Sequence, residues 1–234
     1  MELSKKEIIV RSWNIMKGHL PLMIIIVLFI FSLNMLLSVI QEKILGEITH
    51  QTILFITAAY LFQMGLSLGL LRLCLNMINN AEVNFSLLFS SFHMLIPYLL
   101  ATILYLVALL LAATPGLFII ITATSLDLDN LAIPTNSAQN MLGVILVIVP
   151  VIYLSVRLQF YDYFLIDEEC GIVESIKKSA DLSKGYVLEL FILGAILALI
   201  VLISIIPMGL GLLFSIPLSM VATTYIYLKL KNNS

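Results

Sequence analysis

Charged residues are scarce in this chain. They make up 11% of its 234 residues, against roughly 25% in soluble domains, and that shortage excludes an ordinary soluble fold. Cysteine is nearly missing as well. Cys74 and Cys170 stand far apart with no metal-ligand spacing around either, which excludes a disulfide framework and a thiolate metal site. Nor is there an excess of basic charge: Lys plus Arg number 12 and Asp plus Glu 14, for a net charge of -2. Such a balance offers no electrostatic footprint for nucleic acid. The HExxH and Walker A signatures are absent, and His19, His50 and His93 are isolated from one another. Neither a metal triad nor a nucleophile with its base can be assembled, so no enzyme and no cofactor are expected.

What the chain has in abundance is apolar side chains, 61% of the total. They fall into six runs: 21–40, 52–74, 95–113 with an extension toward 124, 141–160, 186–206 and 210–227. A bilayer core takes about 20 residues per helical span, and in lipid only a helix or a closed barrel satisfies the backbone. None of the runs alternates like a barrel strand. The expected fold is therefore all-α: an integral membrane bundle of six transmembrane helices, forming a single domain over 1–234. The first run is too long for a signal peptide and lacks a cleavage site, so it is retained as a span. The third is interrupted by Thr114-Pro115-Gly116. A kinked or tilted helix ending outside is expected there rather than a seventh span.

Basic residues set the orientation. With the amino terminus inside, Lys43 alone lies outside, while Lys5, Lys6, Arg11, Lys17, Arg72, Arg157, Lys177, Lys178, Lys184, Lys229 and Lys231 lie inside. This positive-inside pattern predicts two cytoplasmic termini. The outer loop near 125–140 carries Asp127 and Asp129 without the ligand set of a calcium loop, and reads as solvated.

Two cytoplasmic segments share a motif. Ser4 and Glu7 form a capping-box signature, and Ile9, Trp13, Met16 and Leu20 follow at helical spacing, which suits an amphipathic helix in the interface with Trp13 at headgroup depth. Glu7, Ile9, Arg11, Ser12, Lys17 and Gly18 align with Glu174, Ile176, Lys178, Ser179, Lys184 and Gly185. In both copies the acid precedes the base by four residues, a helix-supporting order. The segment 84–94, with Phe85, Leu88, Phe89 and Phe92, reads as a degenerate third copy. Three parallel units would result, each an interfacial helix followed by a membrane hairpin; a shared preference for basic and small residues at membrane entries is the alternative.

Within the spans polar groups are few. Asn34 and Gln63 sit near the middle of the first and second spans, placed to hydrogen-bond across one hairpin or to line a solute site. Arg157 reads as an interfacial anchor, with an oblique Arg157–Asp162 couple as the functional alternative. Glu189, one turn into the fifth span, faces the headgroups or pairs with Lys184 or Arg157. Gly65 and Gly69 form a GxxxG motif, which permits close helix approach inside the bundle or in a homo-oligomer.

Val149-Pro150-Val151-Ile152, Arg157, Asp167, the Glu174 to Ser179 motif, Lys184-Gly185, Ile216-Pro217 and Tyr225 resemble the pattern of the YciC-like bacterial membrane proteins. They are also similar to the membrane domain fused to some bacterial glycerophosphodiester phosphodiesterases. Gly65, Leu71-Arg72 and 85–92 resemble the earlier part of that pattern. The resemblance implies a polytopic protein of a bacterial cytoplasmic membrane, here without the phosphodiesterase domain. The sequence thus points to an accessory or membrane-organising protein whose partners are membrane lipids and another protein. A small transporter with a midplane polar site is the rival, and a membrane-embedded lipid enzyme a more distant one.

Overall fold

The computed structural model describes residues 4–44, 50–123, 138–206 and 209–233. Asp127 and Asp129 lie outside them. Among the described residues every regular element is helical. The chain begins with α1 (Lys5–Gly18), where the Glu7 amide donates to Ser4 Oγ at 3.4 Å, the cap that the sequence signals. His19 ends α1, and α2 (Leu20–Ile44) follows at once. Next come α3 (His50–Ile78), the short α4 (Leu87–Ser90), a 3₁₀ turn (Phe92–Met94) and α5 (Leu95–Ala123). The second half holds α6 (Ala138–Leu158), α7 (Tyr161–Asp167), α8 (Ile172–Leu182), α9 (Val187–Ile203) and α10 (Leu212–Lys231).

Five stretches are long and apolar enough to cross a membrane: Leu20–Glu42, Thr52–Ile78, Leu87–Thr122, Asn140–Asp167 and Leu212–Lys231. With 17 residues, α9 is about 26 Å long, slightly under a bilayer core of about 30 Å. It qualifies only together with α8, from which it bends by 96°. Because α8 carries Glu174, Lys177, Lys178 and Asp181, it reads as the interfacial arm and α9 as the span. Phe31, Leu110, Phe118 and Leu188 expose large apolar surfaces outward, as a lipid solvent allows.

The third run is one continuous helix despite Pro115. Proline at that position removes the amide that would bond the Leu111 carbonyl four residues earlier. Thr114 Oγ1 donates to that same carbonyl at 2.7 Å, so the acceptor is not left bare. Close packing on α6 supports it from the side, since a Cβ on Gly116 would lie 2.5 Å from the Val147 amide nitrogen.

The elements follow a cyclic order. Each amphipathic segment rests on the second membrane helix of the preceding unit: α4 on α3, α8 on the α6–α7 arm, and α1, closing the circle, on α10. The inner helices α3, α7 and α10 bury a shared core of Leu68, Leu71, Phe160, Tyr163, Phe164, Ile226 and Tyr227. Tyr163 and Tyr227 stack at 4.9 Å, and the Phe164 ring meets Tyr227 edge-on at 5.2 Å.

Of the stripe expected on α1, Ile9, Trp13, Met16 and Leu20, only Met16 is fully buried. Ile8, Ser12 and Met16 form its buried stripe against the core, whereas Trp13 is 37% exposed beside Val10 at 50%. The reason is α10, a partner on one side of α1 that local periodicity does not reveal. The aligned register survives this correction: Ile8, Ser12 and Met16 fall opposite Ser175, Ser179 and Ser183, and all are 0% exposed. The third segment is no continuous helix but two short turns, separated at the buried Ser91.

Candidate functional site: a charged hub and a lysine-lined cleft

At the basic end, the α6–α7 break creates the site. Helix α6 stops at Leu158, and Ser179 of α8 bridges the gap. Its Oγ donates to the Arg157 carbonyl at 3.2 Å and accepts from the Phe160 amide at 3.0 Å. Ser179 therefore satisfies one orphan carbonyl and one orphan amide of the break.

The break also separates Arg157 from Asp162. Arg157 donates to the Ala180 carbonyl at 2.5 Å and to Tyr153 Oη at 3.3 Å, with its guanidinium 5.9 Å from the Tyr153 ring centroid. Asp162 accepts from the Tyr163 amide at 2.9 Å. The oblique couple does not form, and Arg157 instead ties α6 to α8. Glu189 is half-buried in the first turn of α9.

Helix α7 ends on Asp167-Glu168-Glu169, three acids that fan toward three different elements. Asp167 takes Lys231 at 2.6 Å and the Tyr227 hydroxyl at 3.0 Å. Glu168 takes Lys178 and Lys231, each at 2.7 Å. Glu169, held at a left-handed φ of 49°, lies 3.8 Å from Arg72 and 3.9 Å from His93. Partly exposed pairs of this kind contribute about 0–1 kcal/mol each, so the hub fixes the relative placement of α3, α7, α8 and α10 more than it stabilises them. The hydrogen bond from Lys178 holds the Glu168 carboxyl below its ordinary pKa and does the same to Glu174, one helical turn before Lys178 at 2.7 Å. Reciprocally, its bond to Glu168 raises the Lys178 ammonium.

The two motif copies diverge in their contacts. Glu174 and Lys178 pair as the spacing predicts, whereas Arg11 lies over the Tyr225 ring at 5.6 Å. Gly185 is left-handed at φ 85° and makes the α8–α9 elbow. Gly18, after the exposed Lys17, meets nothing within 4 Å of an added Cβ.

Beside the hub opens a cleft of about 530 Å³, lined by Lys178, Lys184, Lys229 and Lys231 with Glu168 and Asp181. A second, smaller crevice of about 250 Å³ lies between α2 and α3. Gln63 Nε2 donates to Asn34 Oδ1 there at 2.7 Å, and Asn34 Nδ2 to the Ile30 carbonyl at 2.8 Å. Ser38, Gln41 and Tyr60 complete its polar lining.

Gly65 and Gly69 face the chain itself. A Cβ on Gly65 would lie 2.6 Å from the Phe92 ring, and one on Gly69 only 2.0 Å from the Leu88 carbonyl oxygen. Leu88 of α4 and Phe92 of the 3₁₀ turn fill this face, the approach inside the bundle that the motif permits. Sequence reasoning missed the acidic hub. The available signal was three consecutive acids on a side otherwise rich in Lys and Arg, a placement that calls for partners.

Described residues that are all-helical in their regular structure, with five or six helices of spanning length among them and a charged cap at one end, are compatible with a multi-pass membrane protein. Over residues 1–234 it matches the family described as Protein of unknown function (DUF975), and it belongs to that family. Comparison with curated proteins and with solved structures gave no match.

Proposed function

We propose that this is a multi-pass protein of a bacterial cytoplasmic membrane, with both termini in the cytoplasm, related to the YciC-like proteins and the phosphodiesterase-linked membrane domain. It acts without catalysis as an accessory or membrane-organising protein. Its basic end engages lipid headgroups and a partner protein. The observation carrying this reading is the concentration of chemistry at one end: the ion pairs of Arg72, Lys178 and Lys231 converge on one acidic hub, with His93 beside it, under a ring of amphipathic segments. Lipid-facing bulk with the ion pairs of the described residues gathered at one interface suits binding better than turnover.

Crosslinking and affinity purification from native membranes tests it: a reproducible partner is expected, and loss of that partner when the basic end is neutralised. Impermeant maleimide should label cysteines placed at Gly46 and Asn130 from the same, outer side. Labelling from opposite sides overturns the topology. Turnover of labelled phospholipid, abolished by Asp162→Asn or Glu189→Gln, would overturn the non-enzymatic reading.

The Asn34–Gln63 crevice favours a second reading, a small transporter with a midplane polar site. That reading requires substrate-dependent uptake in proteoliposomes. It fails if Asn34→Leu and Gln63→Leu leave function intact.

A further inference from the structure

We infer that the cleft between α8, the start of α9 and the end of α10 binds a phosphate group, carried by an anionic lipid headgroup or by a soluble phosphate ester. This deepens the reading of the basic end as a headgroup-engaging surface and rests on it. Four lysines and two carboxylates line the cleft; Lys178 and Lys231 are matched by Glu168, Glu174 and Asp167, so the positive charge left over is that of Lys184 and Lys229 against the one carboxylate of Asp181. The excess has a definite location. Glu168 is occupied by Lys178 and Lys231, and Lys178 is shared further with Glu174. Lys184 and Lys229 have no ion-pair partner among the described residues, although both line the same cavity. Two ammonium groups without ion-pair partners, one from the α8–α9 elbow and one from α10, lining one cleft beside a salt-bridge network, are complementary to an oxyanion with several acceptor oxygens.

The rest of the lining has a second chemistry. Phe164, Leu182, Tyr186 and Leu230 give the cleft an apolar wall, against which a glycerol or acyl portion can lie. Its volume of about 530 Å³ falls in the usual range for small-ligand sites, roughly 300–1,000 Å³. Position fits too. Lys184 precedes the left-handed Gly185, where the chain turns by 96° into the apolar α9, and Lys229 lies near the end of the apolar α10. Both lysines thus stand where hydrocarbon gives way to headgroups, the depth of a lipid phosphate.

Native mass spectrometry of the full chain in neutral detergent tests the inference. Titration is with phosphatidylglycerol, phosphatidylcholine and, in a separate arm, glycerol 3-phosphate. The wild type should retain phosphatidylglycerol at least tenfold better than phosphatidylcholine. Lys184→Gln with Lys229→Gln should abolish that preference, while Lys5→Gln with Lys17→Gln on α1 should keep it. Glycerol 3-phosphate binding that depends on Lys184 and Lys229, without lipid retention, also supports the site and assigns a soluble ligand. Retention unchanged in the Lys184/Lys229 double variant, or no binding in either arm, overturns it. Asn233→Cys in a Cys170→Ser background separates the two claims. Labelling of that variant at position 233 from the cytoplasmic side, alongside a failed titration, removes only the phosphate site; labelling from the outer side removes the membrane reading with it.

Discussion

Replacing Gly69 by alanine tests the seat of α4 on α3. The added Cβ would lie 2.0 Å from the Leu88 carbonyl oxygen and 2.4 Å from its carbon, whereas ordinary contact begins at 3.4 Å. Both atoms are backbone, so no rotamer change relieves the clash, and α4 must withdraw by about 1.4 Å. Overpacking of this kind costs about 1–3 kcal/mol. Withdrawal also loosens Leu88, which is 0% exposed, so the expected loss lies at the upper end, about 3 kcal/mol. For a chain of this size that corresponds to a fall in Tm of about 6–12 °C, at about 2–4 °C per kcal/mol. Gly65→Ala should cost less, because its Cβ meets a phenyl ring, Phe92, rather than backbone. Gly194→Ala is the control: nothing lies within 4 Å of its Cβ, and alanine is the better helix former by about 1 kcal/mol. Thermal unfolding of the detergent-purified chain, followed by fluorescence-detected size exclusion, orders the three. Equal Tm for Gly69→Ala and wild type refutes the reasoning. So does a crosslinked dimer that disappears in Gly69→Ala while the monomer keeps its Tm, since that places a second copy on the glycine face.

Ser179→Ala should destabilise by about 1–3 kcal/mol, because it orphans the buried Phe160 amide and the Arg157 carbonyl. Ser12→Ala, at the aligned position, removes a buried Oγ that has no hydrogen-bond partner among the described residues, and should leave stability unchanged or raise it by about 1 kcal/mol; denaturation of the two variants side by side checks the contrast. Gly185→Ala places a Cβ on a residue at φ 85°, and the left-handed conformation should cost about 1–2 kcal/mol in the same assay. The pH response of the hub follows from the signs of its shifts. Glu168 and Glu174 are held below their ordinary value of 4.5, so their contribution is full above that value and is lost as pH falls through the lowered one. Lys178 is raised above 10.5, so its contribution is full below that value and is lost only as pH climbs through the raised one. Lys178→Gln should therefore flatten the acid limb of a Tm against pH profile below about pH 4.5; an acid limb identical to wild type contradicts the assignment.

Local patterning made much of this fold legible. Apolar run length locates the long helices, Ser4 and Glu7 mark the start of α1, and the shared motif finds the register in which Ser12 and Ser179 are both buried. What stayed hidden depends on partners remote in sequence. Lys231 reaches Asp167 across 64 residues and the Arg157 carbonyl is capped from 22 residues away, so neither hub nor break shows in a local window. The inward face of α1 is decided by α10, and the role of Gly69 by Leu88. Of the candidate polar residues, Asn34 and Gln63 meet because a hairpin brings them together, whereas Arg157 and Asp162 are parted by a break that Ser179 stabilises.

The seating of α1 on α10 also orders events in time. Roughly 200 residues separate the two helices, so at about 5–20 residues per second of synthesis α1 waits about 10–40 s for its seat. During that interval Ile8 and Met16 lack the α10 part of the surface that later covers them, and α1 has only its lesser contacts with α2 and α3 and the headgroup layer to rest on, beside its exposed Val10 and Trp13. Closure of the ring is the last step of assembly rather than the first. An α1 still reachable by protease would then mark a chain stalled before α10, giving the cell a way to tell an unfinished copy from a complete one.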